Sequence, residues 1–234
     1  MKKLIIAIMA VLSLIGTNVN AKTLVVYYSF TNNVRTIVSS LDTKIQADVV
    51  EVQPAEEGLD YAANNYAIGS RLIAAIRNNP NDASSYPAIK PTGVNVEEYD
   101  YIIVATPLWW SQMAAPMQTF LFENGSKMAG KTIALIVSSA SSSISSTVAD
   151  AKRLIPGGVF VEPNLWIRSA QVSNASAMLD QWLNDIHYNS VATVVDTFSD
   201  NHGDDGRMFD LQGRLLQQEP DAGIFIKGGK KILK

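Results

Sequence analysis

Along this chain, apolar positions alternate between two textures. Continuous β-branched runs are followed by segments in which apolar residues recur at three- and four-residue intervals. The first run, Thr23 to Tyr28, suits a strand buried on both faces. A helix is predicted from about Asn33 to Lys44, then a second strand over Ala47–Val52. A longer helix around Tyr61–Asn78 places Ile68, Leu72, Ile73 and Ile76 on one face and is stopped by Asn79-Pro80. Tyr99–Ala105 reads as strand three, Met117–Phe122 as part of a helix, and Lys131–Val137 as strand four. Thr147–Ile155 reads as a helix closed by Pro156-Gly157-Gly158. A fifth strand falls within Gly158–Ser169. The last helix starts near Ser173 and carries Met178, Trp182, Leu183 and Ile186, with an extension to Phe198 left open.

Strict alternation of this kind predicts an α/β fold, a doubly wound five-stranded parallel sheet with helices on both faces, because each parallel crossover returns along a helix. Ligands of such sheets bind beyond the carboxyl ends of the strands, where the strand order reverses. The loops after strands one, three and four are therefore where chemistry is expected.

The two ends of the chain differ from this pattern. Lys2 and Lys3, an apolar run from Leu4 to about Ile15 and a polar stretch closing at Asn18-Val19-Asn20-Ala21 have the three parts of a secretory signal. Residues 1–21 are thus expected to be removed, leaving a main domain over 22–200 that is exported, periplasmic or extracellular. The run is short for a membrane span and no later segment approaches ~20 apolar residues, so no stable span is expected after cleavage. After Asn201–Gly206 the chain turns to short strand-like pieces, Met208–Leu216, Gly223–Ile226 and Gly228–Leu233, which read as a small β appendage over 201–234.

Composition removes several function classes. There is no cysteine, which excludes disulfides, thiol catalysis and thiolate metal sites. Loss of residues 1–21 takes two lysines and no acid, moving the formal charge from −3 to −5, and nucleic-acid binding is disfavoured. His187 and His202 have no carboxylate at ligand spacing, so no metal site is expected. Gly-x-Ser-x-Gly is absent, as is Gly-x-Gly-x-x-Gly after strand one. Arg35, Arg71 and Arg77 read as helix-surface charges.

Three loops remain. Ser29-Phe30-Thr31-Asn32-Asn33 offers hydroxyls, amides and the free N–H groups of a helix start, which suit a phosphate; the same residues also suit a cluster that only caps its own helix. Ala105-Thr106-Pro107-Leu108-Trp109-Trp110-Ser111 puts two indoles where the core gives way to solvent. A planar guest there would gain roughly 0.5–1.5 kcal/mol from ring geometry, whereas packing of one indole under the next helix is the alternative. The serine run from Ser138 to Ser143 suits close approach to the polar edge of a flat heterocycle, as it would a solvated loop.

Taken together, these residues resemble the flavodoxin superfamily, and in particular the bacterial flavodoxin-like proteins with Tyr-Ser-x-Thr-Gly-Asn-Thr, Pro-x-Trp-Trp and Thr-Ser-Gly-Gly-Ser loops after strands one, three and four. The resemblance covers about residues 23–186 and implies strand order 2-1-3-4-5. It also implies noncovalent FMN held by Ser29, Phe30, Thr31, Asn32, Asn33 and Val34, by Thr106, Pro107, Leu108, Trp109 and Trp110, and by Ser138, Ser139, Ala140 and Ser143. No catalytic side chain is required, since the flavin carries the electron chemistry. The expected function is electron transfer in the cell envelope with a redox partner protein or a small quinone-like acceptor, as a carrier or an NAD(P)H:quinone-type oxidoreductase. The chain departs from the family at Asn32, Val34, Ser111 and Ala140-Ser141, which replace glycine, threonine and further glycines. Those departures support the alternative of an exported binding or structural protein with weak or lost flavin binding. The C-terminal piece is similar to tails of exported Bacteroidetes proteins; a hairpin covering a sheet edge is the other reading.

Overall fold

The computed structural model describes residues 21–61 and 63–188, together with four short strands at 208–209, 215–216, 224–227 and 230–233. The expected signal segment and the proposed extension of the last helix to Phe198 lie outside the described residues.

The larger unit alternates strands and helices: β1 (Thr23–Tyr27), α1 (Asn33–Asp42), β2 (Asp48–Glu51), α2 (Ala63–Asn78), β3 (Tyr101–Trp109), β4 (Gln112–Met113), α3 (Ala115–Asn124), β5 (Thr132–Ser139), α4 (Ser145–Leu154), β6 (Val159–Phe160), β7 (Leu165–Arg168) and α5 (Ala175–Asp185). The sheet runs β2-β1-β3-β5-β6, with β7 also paired to β5 and β4 to β3. The predicted strand order is observed, and the predicted fifth strand is two short pieces, β6 at the start of β5 and β7 at its end.

Alternate residues of the central strands face opposite layers. Leu24, Val26, Ile102, Val104 and Leu135 join a core with Ile73 and Ile76 of α2, Phe120 and Met117 of α3 and Ala151 of α4. The other layer holds Ile37, Val38 and Leu41 of α1 and Leu179 and Trp182 of α5, and those two helices pack together. Each Val, Leu, Ile, Met or Phe among them contributes about 1.5–3 kcal/mol on full burial. The central strands β1, β3 and β5 are buried almost throughout, as their unbroken apolar runs require.

Two boundaries depart from expectation. β3 extends four residues past Ala105, so Thr106, Pro107, Leu108 and Trp109 are strand and not loop. Proline normally argues against a central strand, but neighbours hold this one on either side of it: Thr106 and Pro107 pair with Val137 and Ser138, and Leu108 and Trp109 with Met113 and Gln112. β5 likewise keeps Ser138 and Ser139, which pair with Ile167 and Arg168. The described strands near the C-terminus, β8 (Met208–Phe209), β9 (Leu215–Leu216), β10 (Ile224–Lys227) and β11 (Lys230–Leu233), form an antiparallel sheet of order β11-β10-β8-β9. Among the described residues no helix is long and apolar enough to cross a membrane.

Candidate functional site

The carboxyl ends of β1, β3 and β5 surround a cavity of about 420 Å³. It is lined from the phosphate-type loop by Ser29, Phe30, Thr31, Asn33 and Val34, from β3 and its turn by Pro107, Leu108, Trp109 and Trp110, and from the end of β5 by Ser138, Ser139 and Ala140. Three predicted residues lie off the lining. Thr106 is fully buried and its hydroxyl donates to the Pro107 carbonyl at 3.0 Å. Ser143 Oγ faces the start of α4, 3.4 Å from Ser145 Oγ. Asn32 turns its side chain toward Arg35.

At the first loop the backbone does the work. Asn32 occupies the N-cap position of α1 in left-handed conformation (φ 65°, ψ −5°) and makes no side-chain capping bond. This is the position where the family has glycine, and asparagine is among the residues that enter the region most readily. Ser29 Oγ accepts from the Arg35 N–H at 3.2 Å and the Asn32 carbonyl accepts from the Thr36 N–H at 2.9 Å. Helix geometry leaves the N–H groups of Asn33 and Val34 without intrahelical acceptors, at the end of the helix where the dipole favours an anion. Arg35 donates to Asn32 Oδ1 and pairs with Glu51 at the end of β2 at 2.5 Å. Its guanidinium is made still more basic by the Tyr27 hydroxyl and Glu51. A helix-surface charge by sequence, it is a brace across the loop in the structure.

At the second wall the two tryptophans divide their roles. Trp109 is 9% exposed and Trp110 47%. Trp109 packs in an aromatic cluster, edge-on to Tyr28 and Phe30 with centroids 5.7 and 6.0 Å away, and tilted against Tyr61 at 4.9 Å. Trp110 and Ser111 form a two-residue hairpin turn between β3 and β4, both left-handed (φ 46° and 66°) as in a type I′ turn. The exposed indole rests on α2 at Gly69, where an added Cβ would approach Trp110 Cζ3 to 2.9 Å. Glycine is what lets the ring sit there.

The third wall is partly pre-committed. Ser139 Oγ accepts from Trp166 Nε1 at 2.8 Å and donates to the Ser142 carbonyl at 2.9 Å, so this hydroxyl shapes the loop. Sequence reasoning missed Tyr61, Tyr66, Gly69 and Ser169 in the lining. The first three flank and open α2, where an aromatic pair at a predicted helix start was the available signal. Tyr61 is buried, its hydroxyl lacks a hydrogen-bond partner among the described residues, and burial pushes its pKa up to about 12. Asn64, Asn65 and Tyr66 beside it are all left-handed, at φ 51°, 55° and 61°. Among the described residues, no Lys, Arg, Asp or Glu lines the cavity.

This arrangement can accept a flat aromatic guest against Trp109 and Trp110 and a phosphate at the start of α1. The residues present thus fit a flavin mononucleotide in shape and donor chemistry. A flavodoxin model matches residues 22–186 of the chain. No curated protein sequence matches it. Among solved structures, a Bacteroides uniformis protein described as a flavoprotein is 26% identical, covering 70% of this chain and 99% of its own, with TM-score 0.56. One from Bacteroides eggerthii is 24% identical over 72% and 99%, with TM-score 0.57. The flavoprotein of Lactobacillus acidophilus in complex with FMN is 22% identical over 67% and 99%, with TM-score 0.52. With the family model spanning the whole βα unit that builds the cavity, the chain belongs to the flavodoxin family.

Proposed function

We propose that this protein binds one FMN and transfers electrons in the cell envelope, to a redox partner protein or a small quinone-like acceptor. The observation that carries the reading is a cavity in which a helix start with free N–H groups, an indole wall and a small-residue loop meet. The Lactobacillus acidophilus relative of the same fold is a complex with FMN. Bound FMN would supply one- or two-electron transfer.

The protein's own part is binding and placement. The N–H groups of Asn33 and Val34, with the hydroxyls of Ser29 and Thr31, would hold the phosphate through dipoles and hydrogen bonds. Trp109, fixed by Tyr28, Phe30 and Tyr61, gives the ring one rigid aromatic neighbour. Trp110 and Tyr66, both about half exposed, stand between the cavity and water. The backbone at Ser138–Ala140 is available to the polar edge of the heterocycle. Export rests on the signal-like segment 1–21 and is tested by fractionating cells that express the full chain.

Titration of the purified protein with FMN, in oxidised and reduced form, tests the cofactor. Saturable binding with a perturbed flavin absorption spectrum is expected. No saturable binding in either redox state would leave a flavodoxin fold serving as a binding or structural protein. Turnover of a quinone by NAD(P)H would identify an enzyme in place of a carrier.

A further inference from the structure

Behind the aromatic wall, α3 and α4 carry a buried polar cluster outside the three motif loops. The Asp150 carboxylate, 6% exposed, accepts from the Met113 backbone N–H at 3.0 Å. Gln118, fully buried, donates through Nε2 to the Met113 carbonyl at 2.8 Å. Arg153 joins the two: its Nη2 donates to Gln118 Oε1 at 2.9 Å and to Asp150 Oδ1 at 3.3 Å. Its Nη1 donates to the Tyr86 hydroxyl at 3.1 Å, which in turn donates to the Pro80 carbonyl at 2.7 Å. One residue of the two-residue strand β4 is therefore gripped at both of its backbone polar groups.

Strand geometry explains why Met113 is open to this grip. In a hairpin closed by two residues, the pair next to the turn, here Trp109 and Gln112, exchanges the ladder hydrogen bonds. The next pair, Leu108 and Met113, points its N–H and C=O groups away from the partner strand. Unmade, those bonds would be a cost in a buried place. The turn beyond them is also costly, because neither Trp110 nor Ser111 favours left-handed backbone. A two-residue ladder has little with which to hold such a turn. Apolar packing is non-directional, whereas a hydrogen bond fixes an angle as well as a distance.

We propose that Asp150, Gln118 and Arg153 are positioning residues for the flavin: by fixing Met113 they hold the β3–β4 hairpin, and with it Trp109 and Trp110, in the geometry that the ring meets. The inference rests on the FMN reading above. None of the three, nor Met113, lines the cavity, so any effect on the ring travels through the hairpin.

The test compares the wild type with Asp150→Asn and Gln118→Met. Each is titrated with FMN and with riboflavin, which lacks the phosphate, while absorption spectra and Tm are recorded. Gln118→Met preserves side-chain volume and every charge, and it carries the test if Asp150→Asn does not fold. The expected result is a folded protein that loses about tenfold in affinity for FMN and riboflavin alike and shows an altered bound-flavin spectrum. A lowered Tm with affinity and spectrum unchanged overturns the proposal, since the cluster would then serve stability alone. Loss confined to FMN also overturns it, because the effect would lie on the phosphate side. A wild type that binds neither flavin overturns the FMN reading, and this inference with it.

Discussion

Two loops at the same end of the sheet carry left-handed backbone without glycine, and they hold it by different means. Asn32 is exposed at the helix start, and its side chain is met by Arg35, braced in turn on Glu51 at the surface. Trp110 and Ser111 are held from behind, by a short ladder and by the buried cluster on Met113. An L-residue other than asparagine or aspartate gives up roughly 1–2 kcal/mol in this region, so the two devices face different burdens. The surface brace supports a residue that tolerates its conformation. The buried cluster supports two residues that do not, one of them a large indole. A local side-chain contact suffices where strain is small; a network reaching into two other helices is found where it is large.

The comparison can be broken from either side. Trp109→Ala removes the centre of the aromatic cluster and is expected to cost about 3–5 kcal/mol of stability, read by chemical denaturation, with loss of flavin binding. Trp109→Phe, which keeps an aromatic plane, should retain most of both. Next in size is Asp150, where burial raises the carboxyl above its ordinary value of 3.8 against the opposing pull of the Met113 N–H and Arg153. Between the unfolded and folded pKa values the folded state keeps a proton that the unfolded state has released. The stability tied to that proton is complete below the unfolded pKa and is lost as pH rises through the folded one. Subtracting the Tm-versus-pH curve of Asp150→Asn from that of the wild type should expose a falling slope there; a rising difference would contradict the burial argument.

A smaller effect is expected at the surface brace. Arg35→Ala should lower FMN affinity about fivefold while leaving riboflavin affinity unchanged, and should have no effect in an Asn32→Gly background, because glycine needs no support. Equal losses in both backgrounds would show that Arg35 acts on the phosphate directly. The smallest effect is Ser111→Gly, expected to stabilise by at most about 1 kcal/mol, the left-handed penalty offset by glycine's backbone entropy. Asn32→Gly alone should change Tm by less than Ser111→Gly does.

Much of this architecture was legible because a buried parallel sheet writes itself as unbroken apolar runs. Thr23–Tyr27, Tyr101–Ala105 and Thr132–Val137 all lie in strands as read. Strand ends were harder to read, since Pro107 and the serines at 138–139 carry turn-like chemistry and stay in the sheet only through their neighbours. Ser29, Asn33, Pro107, Trp109, Trp110 and Ser139, all in the cavity lining, were legible because they stand in motifs that resemble the family's loops. Tyr61, Tyr66 and Gly69 come from α2 and the residues just before it, and beyond the aromatic pair at the predicted helix start nothing local in the sequence marks the docking of that helix against the indoles. Asp150 and Arg153 fall in the predicted helix Thr147–Ile155 without any motif to single them out, and only the chain path places one carboxylate on the N–H of a residue 37 positions earlier.

The uncharged lining of the cavity bears on how binding responds to ionic strength. A phosphate gripped by lysines or arginines loses affinity as salt screens the attraction. Here the nearby Arg35 is already paired with Glu51, and the described residues of the lining offer amide and hydroxyl dipoles and no charged side chain. FMN affinity should therefore change little between dilute buffer and several hundred millimolar salt. A steep fall would mean that a side chain outside the described lining supplies charge. Insensitivity of this kind would suit a protein outside the cytoplasm, where the salt concentration is not under the cell's control.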